Sequence, residues 1–312
     1  MDRIRRRYEQ VYRHLGRAHL QRGAGGLDDL RLDDLFGPDR ALWLGFYTDE
    51  GLQYALEEYG FIGELRGLGY EDVRVHTRTD DPDEHMLRLI SHVPRHEEPL
   101  LELVVRRSYL KLSDEIQAQV AQEHLPVLHV EWLMLQHPLY TFSAERPPLP
   151  GQRLPGLGLG RQVFELLRNI CRRLKLAALV TTPSFFHNAI FYNDGFAFME
   201  PRAAGCFAAL RRDLMTGLGL SVAEATWAVR WGLVREEGGE VFEWFHAPMI
   251  APVRRDLEGF LEGRWYRREV EQVMQERWFG AVQPRLAALM DVRGIKPFDL
   301  ARVEAWLAEE QG

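Results

Sequence analysis

The stretch PGLGLGRQVFELL, residues 155–167, decides how this chain is read. Gly156, Gly158 and Gly160 alternate with Leu157 and Leu159, and from Val163 onward Leu166, Leu167, Ile170 and Leu174 recur at helical spacing. Glycine has no Cβ, so a ligand can come close to the backbone here. The first amides of a helix lack intrahelical partners and its dipole adds positive potential, which together suit a pyrophosphate. Two common phosphate loops do not fit. The G-x-G-x-x-G spacing of dinucleotide folds is not met, and Arg161-Gln162 stands where a P-loop needs G-K-[ST].

Working outward, residues 73–79, 86–93, 100–109 and 125–135 have strand character, and DDPDE at 80–84 reads as the turn of an antiparallel hairpin. Residues 113–123 read as a short polar helix between the last two strands. Leu52, Ala55, Leu56, Tyr59, Ile62 and Leu65 predict one helix over 49–68, and residues 2–20 form a basic amphipathic helix ended by GAGG at 23–26. Downstream of the glycine loop lie an apolar strand at 177–182 and, beyond Pro201, mainly helical sequence that includes residues 257–307. A hairpin over 233–245, turning at Gly238-Gly239, interrupts it. Ser221-Val222-Ala223-Glu224 reads as a capping box. The order predicts an α+β fold: a mixed, mostly antiparallel sheet flanked by helices. It comprises a helical arm over 1–40, a main domain over 41–201 and a mainly helical extension over 202–312.

The 312 residues are 46% hydrophobic, enough for a sizeable core. A net charge of −7 with 27% charged residues excludes a polybasic nucleic-acid binder; nearly all the positive charge is arginine, with only Lys111, Lys175 and Lys296 as lysines. Residues 203–245 have the order of a winged helix-turn-helix. The would-be recognition helix, VAEATWAVRWG, offers one arginine beside two tryptophans, which suits packing, including at a homodimer contact, better than groove reading. Neither a signal peptide nor a membrane-spanning run is expected. Cys171 and Cys206 cannot form a disulfide framework, so a reducing, cytoplasmic setting is expected. Eleven histidines include two loose groups, His85/His92/His96 and His124/His129/His137, without a metal-ligand signature, and no metal is expected.

PGLGLGRQVFELL, then LAALVTT at 176–182, then HNAIFYNDGF at 187–196 resemble the core of the GNAT N-acetyltransferases, as a divergent, bacterial-type member covering residues 125–201. That family has a Q/R-x-x-G-x-G/A loop opening a helix, then a strand, then a helix ending in a tyrosine and a Gly-Phe pair. The resemblance implies acetyl-CoA as co-substrate and a small-molecule or peptide amine as acceptor. Two registers of the loop are open. Arg153-Leu154-Pro155-Gly156-Leu157-Gly158 matches the pattern literally, whereas the distance to the next motif favours Gly158-Leu159-Gly160 as the final glycine pair. In the second register the phosphate cradle is backbone amide from Leu157, Leu159, Gly160 and Arg161.

By the same resemblance, the backbone of residues 133–136 would pair with the pantetheine arm, with Leu135 and Gln136 in contact and amides near Leu135 polarising the thioester. Glu131 is the acidic residue on that strand and would act as general base; buried beside Val130 and Trp132 it would be poised to deprotonate an ammonium, and the alternative is a glutamate on a solvated face. Tyr192 would protonate the leaving thiolate, with Asn188 at the family's asparagine. An ungapped alignment instead puts Phe191 and Ser184 at those places and leaves Tyr192 as a packing aromatic. The extra segments 139–151 and 111–123 depart from the family pattern. They keep a second reading open: a non-catalytic acyl-CoA-binding or assembly protein with a degenerate fold of this type.

Overall fold

Residues 3–23, 42–91, 99–143 and 145–281 are described by the computed structural model. The rest of the GAGG stretch, the strand end at 92–93, His92 and His96, the arm beyond residue 23 and the helical sequence beyond 281 lie outside the described residues. The chain divides into two compact units that interleave along it. The first comprises Met1–Gln117, Gln122–Pro138 and Gly156–Val180; the second comprises Ala118–Ala121, Leu139–Pro155 and Thr181–Gly312.

In the first unit, helices α1 (Arg3–His14), α2 (Arg17–Leu20), α3 (Asp49–Glu58) and α4 (Phe61–Gly67) precede strands β1 (Arg74–Arg78), β2 (Glu84–Ile90) and β3 (Leu101–Lys111). The short helix α5 (Asp114–Val120) leads to β4 (His124–Leu135), followed by α6 (Gly160–Arg173) and β5 (Ala178–Thr181). The sheet order is β1-β2-β3-β4-β5, with the first three pairings antiparallel. Strand alternation turns Leu87, Leu89, Leu101 and Leu103 to one face, where with residues of α3 and α6 they enclose an apolar cavity of about 70 Å³. Burying leucines of this kind stabilises the fold by roughly 1.5–3 kcal/mol each.

The sequence predicts one helix over 49–68; the structure has two, and the physical reason is Gly60. Its φ of +74° lies in the left-handed region, and a Cβ there would sit 1.7 Å from Nη2 of Arg7. That guanidinium donates instead to the carbonyl of Tyr59 at 2.8 Å, filling the break between α3 and α4. Thr48 starts α3 by accepting from the Gly51 amide at 3.0 Å. Helix α6 docks on α1 through the Arg172–Glu9 ion pair, and Arg173 donates to the Tyr12 carbonyl at 3.3 Å.

The second unit holds α7 (Phe186–Tyr192), β6 (Ala197–Phe198) and α8 (Pro201–Leu210), which runs on as a π-helix over Arg211–Gly217. After α9 (Val222–Arg230) come β7 (Val234–Glu236), β8 (Met249–Pro252), α10 (Arg255–Leu261), α11 (Arg264–Glu276) and β9 (Phe279–Ala281). Strand β6 pairs antiparallel with β8. Ser221 and Glu224 form the expected capping box at α9. The expected hairpin at 233–245 is only half realised. The turn forms, with the Gly239 amide donating to the Glu236 carbonyl, but Val241 makes one isolated bridge and β7 pairs with β9 instead. Arg212 ties the π-helix to the end of α11, donating to the carbonyls of Met274 and Arg277 at 2.6 Å each. The α+β class, the mostly antiparallel sheet and the helical flanks agree with the sequence reading. No helix among the described residues is long and apolar enough to cross a membrane.

Candidate functional site

Strand β4 sets up the site in the first unit. The Ala177 amide donates to the Pro126 carbonyl at 2.7 Å, so β5 begins beside the start of β4. β5 has only four residues against twelve in β4, so the last residues of β4 outrun it. Between them β4 bulges: Val105 faces Val130 and Val104 faces Trp132, leaving Glu131 as the extra residue. A bulge breaks the two-residue alternation, and Glu131 and Trp132 are accordingly both exposed.

The glycine loop returns against this overhang. A Cβ on Gly156 would stand 3.7 Å from the Leu135 carbonyl oxygen, and one on Gly160 would stand 3.8 Å from Cδ1 of Leu135. Leu157 and Leu159 are buried anchors, whereas Gly158 between them is exposed, with φ at +75° and open space where a Cβ would be. α6 starts from Leu159 with no side-chain cap and no acidic residue in its first turn. Leu135, Gly156, Gly160 and the α6 N-terminus are therefore brought together, with outward amides and positive potential at an exposed glycine. That arrangement fits a diphosphate.

Other expected contacts have different partners. The Gln136 amide donates to the Leu100 carbonyl and its side chain to the Pro99 carbonyl, both at 3.0 Å, so both groups are held towards β3. Arg153 is exposed and belongs to the second unit. Asn188 caps its own helix, accepting from the Phe185 amide at 3.1 Å. Of the two readings open for Glu131, the solvated face is the one observed, because the bulge turns it outward. Its Oε1 lies 2.5 Å from Nη2 of Arg106 and 3.3 Å from Nδ1 of His129. Burial holds His129 below the usual imidazole range, helped by Arg106 and opposed by Glu131. Sequence reading passed over both neighbours. His129, two residues before Glu131 on one strand, was within reach of it; Arg106 depended on strand register.

In the second unit α7 turns Phe191 and Tyr192 to different environments. Phe191 is 55% exposed. Tyr192 is half-buried, shares a hydrogen bond with Thr181, and burial pushes its phenol up to about 12 despite that bond. It therefore keeps its proton throughout the neutral range. One turn earlier, His187 is buried, stacked on Phe185 with ring centroids 5.5 Å apart, and burial pushes its imidazole down to about 4. Within the histidine groups, Nδ1 of His85 accepts from the Leu44 amide at 2.7 Å, and Nδ1 of His137 lies 2.6 Å from the Tyr70 hydroxyl. No protein-family model and no curated protein matches this chain.

Proposed function

We propose that the chain is an acyl-CoA-dependent N-acyltransferase, moving acetyl or another short acyl group to an amine. The observation that carries this reading is the glycine loop laid against the overhanging end of β4 at the uncapped start of α6. The amides of Leu157, Leu159, Gly160 and Arg161 would hold the diphosphate, and the edge of β4 near Leu135 that faces away from β3 would receive the pantetheine arm. Bound acetyl-CoA supplies an activated thioester: a C–N bond forms, the C–S bond breaks, one proton leaves nitrogen and one reaches sulfur. Glu131 takes the first proton, directly or through water, with His129 beside it. By the resemblance to the GNAT family alone, the second proton would come from Tyr192, whose phenol stays protonated through the neutral range. Backbone amide near Leu135 would polarise the carbonyl. Both cysteines are buried free thiols, in keeping with a cytoplasmic setting.

One observation favours a second reading, a non-catalytic acyl-CoA binder: Glu131 already has Arg106 as a close ion-pair partner. Thiol release from acetyl-CoA over a panel of amines separates the two. Glu131→Gln and Tyr192→Phe should each slow turnover by roughly ten- to a thousandfold while CoA affinity holds. Equal turnover in wild type and both variants at saturating amine rejects the assigned roles. Stabilisation by acetyl-CoA without thiol release from any amine establishes the binder instead.

A further inference from the structure

The second unit contains a cavity of about 350 Å³ that none of the roles above uses. That volume lies within the range of small-molecule sites, roughly 300–1,000 Å³. Its walls come from the start of α7, the last turn of α9 and the segment 241–246. Phe186 and Phe242 are buried, and Phe186 meets Trp244 edge to face with centroids 5.7 Å apart, so one side is a fixed aromatic surface. On the wall from α9 sits Thr226, 1% exposed, whose hydroxyl has no hydrogen-bond partner among the described residues. A buried hydroxyl left unpaired is unfavourable, and a ligand's polar group would relieve it wherever the wall yields enough to reach it.

Charge narrows the ligand. Arg230 and Glu243 both line the cavity and are exposed, yet no salt bridge joins them or engages either among the described residues. A lipid chain would leave both charges facing an apolar body. A phosphorylated ligand would satisfy Arg230 and be repelled by Glu243; a simple amine would do the reverse. A molecule carrying both an anionic and a cationic group on an apolar body meets both charges and the aromatic wall at once.

We propose that this cavity binds a free amino acid with an apolar or aromatic side chain, its carboxylate towards Arg230, its ammonium towards Glu243 and its side chain against Phe186, Phe242 and Trp244. Naming that amino acid as the acyl acceptor rests on the acyl-transfer reading; the binding itself does not.

Calorimetric titration of the full chain tests it, with L-phenylalanine, L-leucine, L-methionine and L-tryptophan beside 3-phenylpropionate and 2-phenylethylamine. At least one amino acid should bind, and the analogues that lack the ammonium or the carboxylate should bind at least tenfold more weakly than L-phenylalanine. Arg230→Gln and Glu243→Gln, both surface changes, should each weaken amino-acid binding at least tenfold and leave stabilisation by acetyl-CoA intact. Thr226→Val should weaken it severalfold. The proposal is overturned if no amino acid in the panel binds, if the single-charge analogues bind as tightly, or if both charge variants retain wild-type affinity. Amino-acid binding without thiol release sustains this site while counting against acyl transfer; thiol release with another amine and an empty titration does the opposite.

Discussion

The end of β4 and the helix α7 perform their proposed tasks with different parts of the chain. At β4 the backbone is the instrument: glycines at 156, 158 and 160 keep side chains out of the way, and an uncapped helix start presents amides. Its one charged participant, Glu131, sits in solvent with Arg106 beside it. On α7 side chains are the instrument, and burial sets their chemistry. Tyr192 is pushed up to about 12 and His187 down to about 4, in both cases by desolvation foremost. A backbone site tolerates changes that keep the chain's path and fails when a side chain intrudes. A buried side-chain site responds to pH and to the loss of single atoms.

The sharpest way to break this contrast is Gly158→Asp. Asp tolerates the left-handed region better than most residues, and its Cβ meets nothing within 4 Å, so the fold should survive with a loss of about 1–2 kcal/mol at most. An anion in the cradle should lower affinity for CoA by a thousandfold or more, about 4 kcal/mol, read by titration calorimetry. Undiminished affinity in a folded variant would remove the backbone cradle from the argument.

His187 supplies the next largest effect. Its folded-state imidazole titrates near 4 against an ordinary 6.5, so the unfolded chain takes up the proton first as pH falls. The stability tied to this residue is complete above 6.5 and is lost progressively as pH drops towards 4, a swing on the order of 3 kcal/mol. His187→Phe keeps an aromatic ring on Phe185, removes an Nδ1 that has no hydrogen-bond partner among the described residues, and should flatten that acid limb. Denaturant unfolding between pH 7 and pH 4.5 measures it; identical slopes in variant and wild type would show that burial does not govern α7.

The smallest effect belongs to the exposed pair on β4. Arg106→Gln removes a solvent-screened ion pair and should change stability by less than about 1 kcal/mol in denaturant titration. A loss above about 2 kcal/mol would mean that the carboxylate is not in contact with water, and burial would then govern both regions.

Much of this molecule was written in local patterns. The spacing of Val163, Leu167 and Ile170 marked α6, strand alternation marked β1 to β4, and Ser221-x-x-Glu224 marked the start of α9. The glycine loop was legible because its signal, glycine before an amphipathic helix, is itself local. By contrast, the break at Gly60 depends on Arg7, more than fifty residues earlier in the chain, and the partner of β7 is β9 rather than the neighbouring segment. No local pattern carries either fact.

The same division runs through the site. Sequence alone determined which chemistry-bearing residues were available and that a helix start would present amides, because backbone geometry follows from a few adjacent residue types. Only the tertiary structure decided what surrounds each group. The β4 bulge turned Glu131 outward to Arg106 and His129, α7 exposed Phe191 while tucking Tyr192 against Thr181, and Asn188 became a cap. Exposure and charge environment are set by atoms brought together from distant parts of the chain, and the protonation behaviour of a side chain follows those atoms rather than its neighbours in sequence.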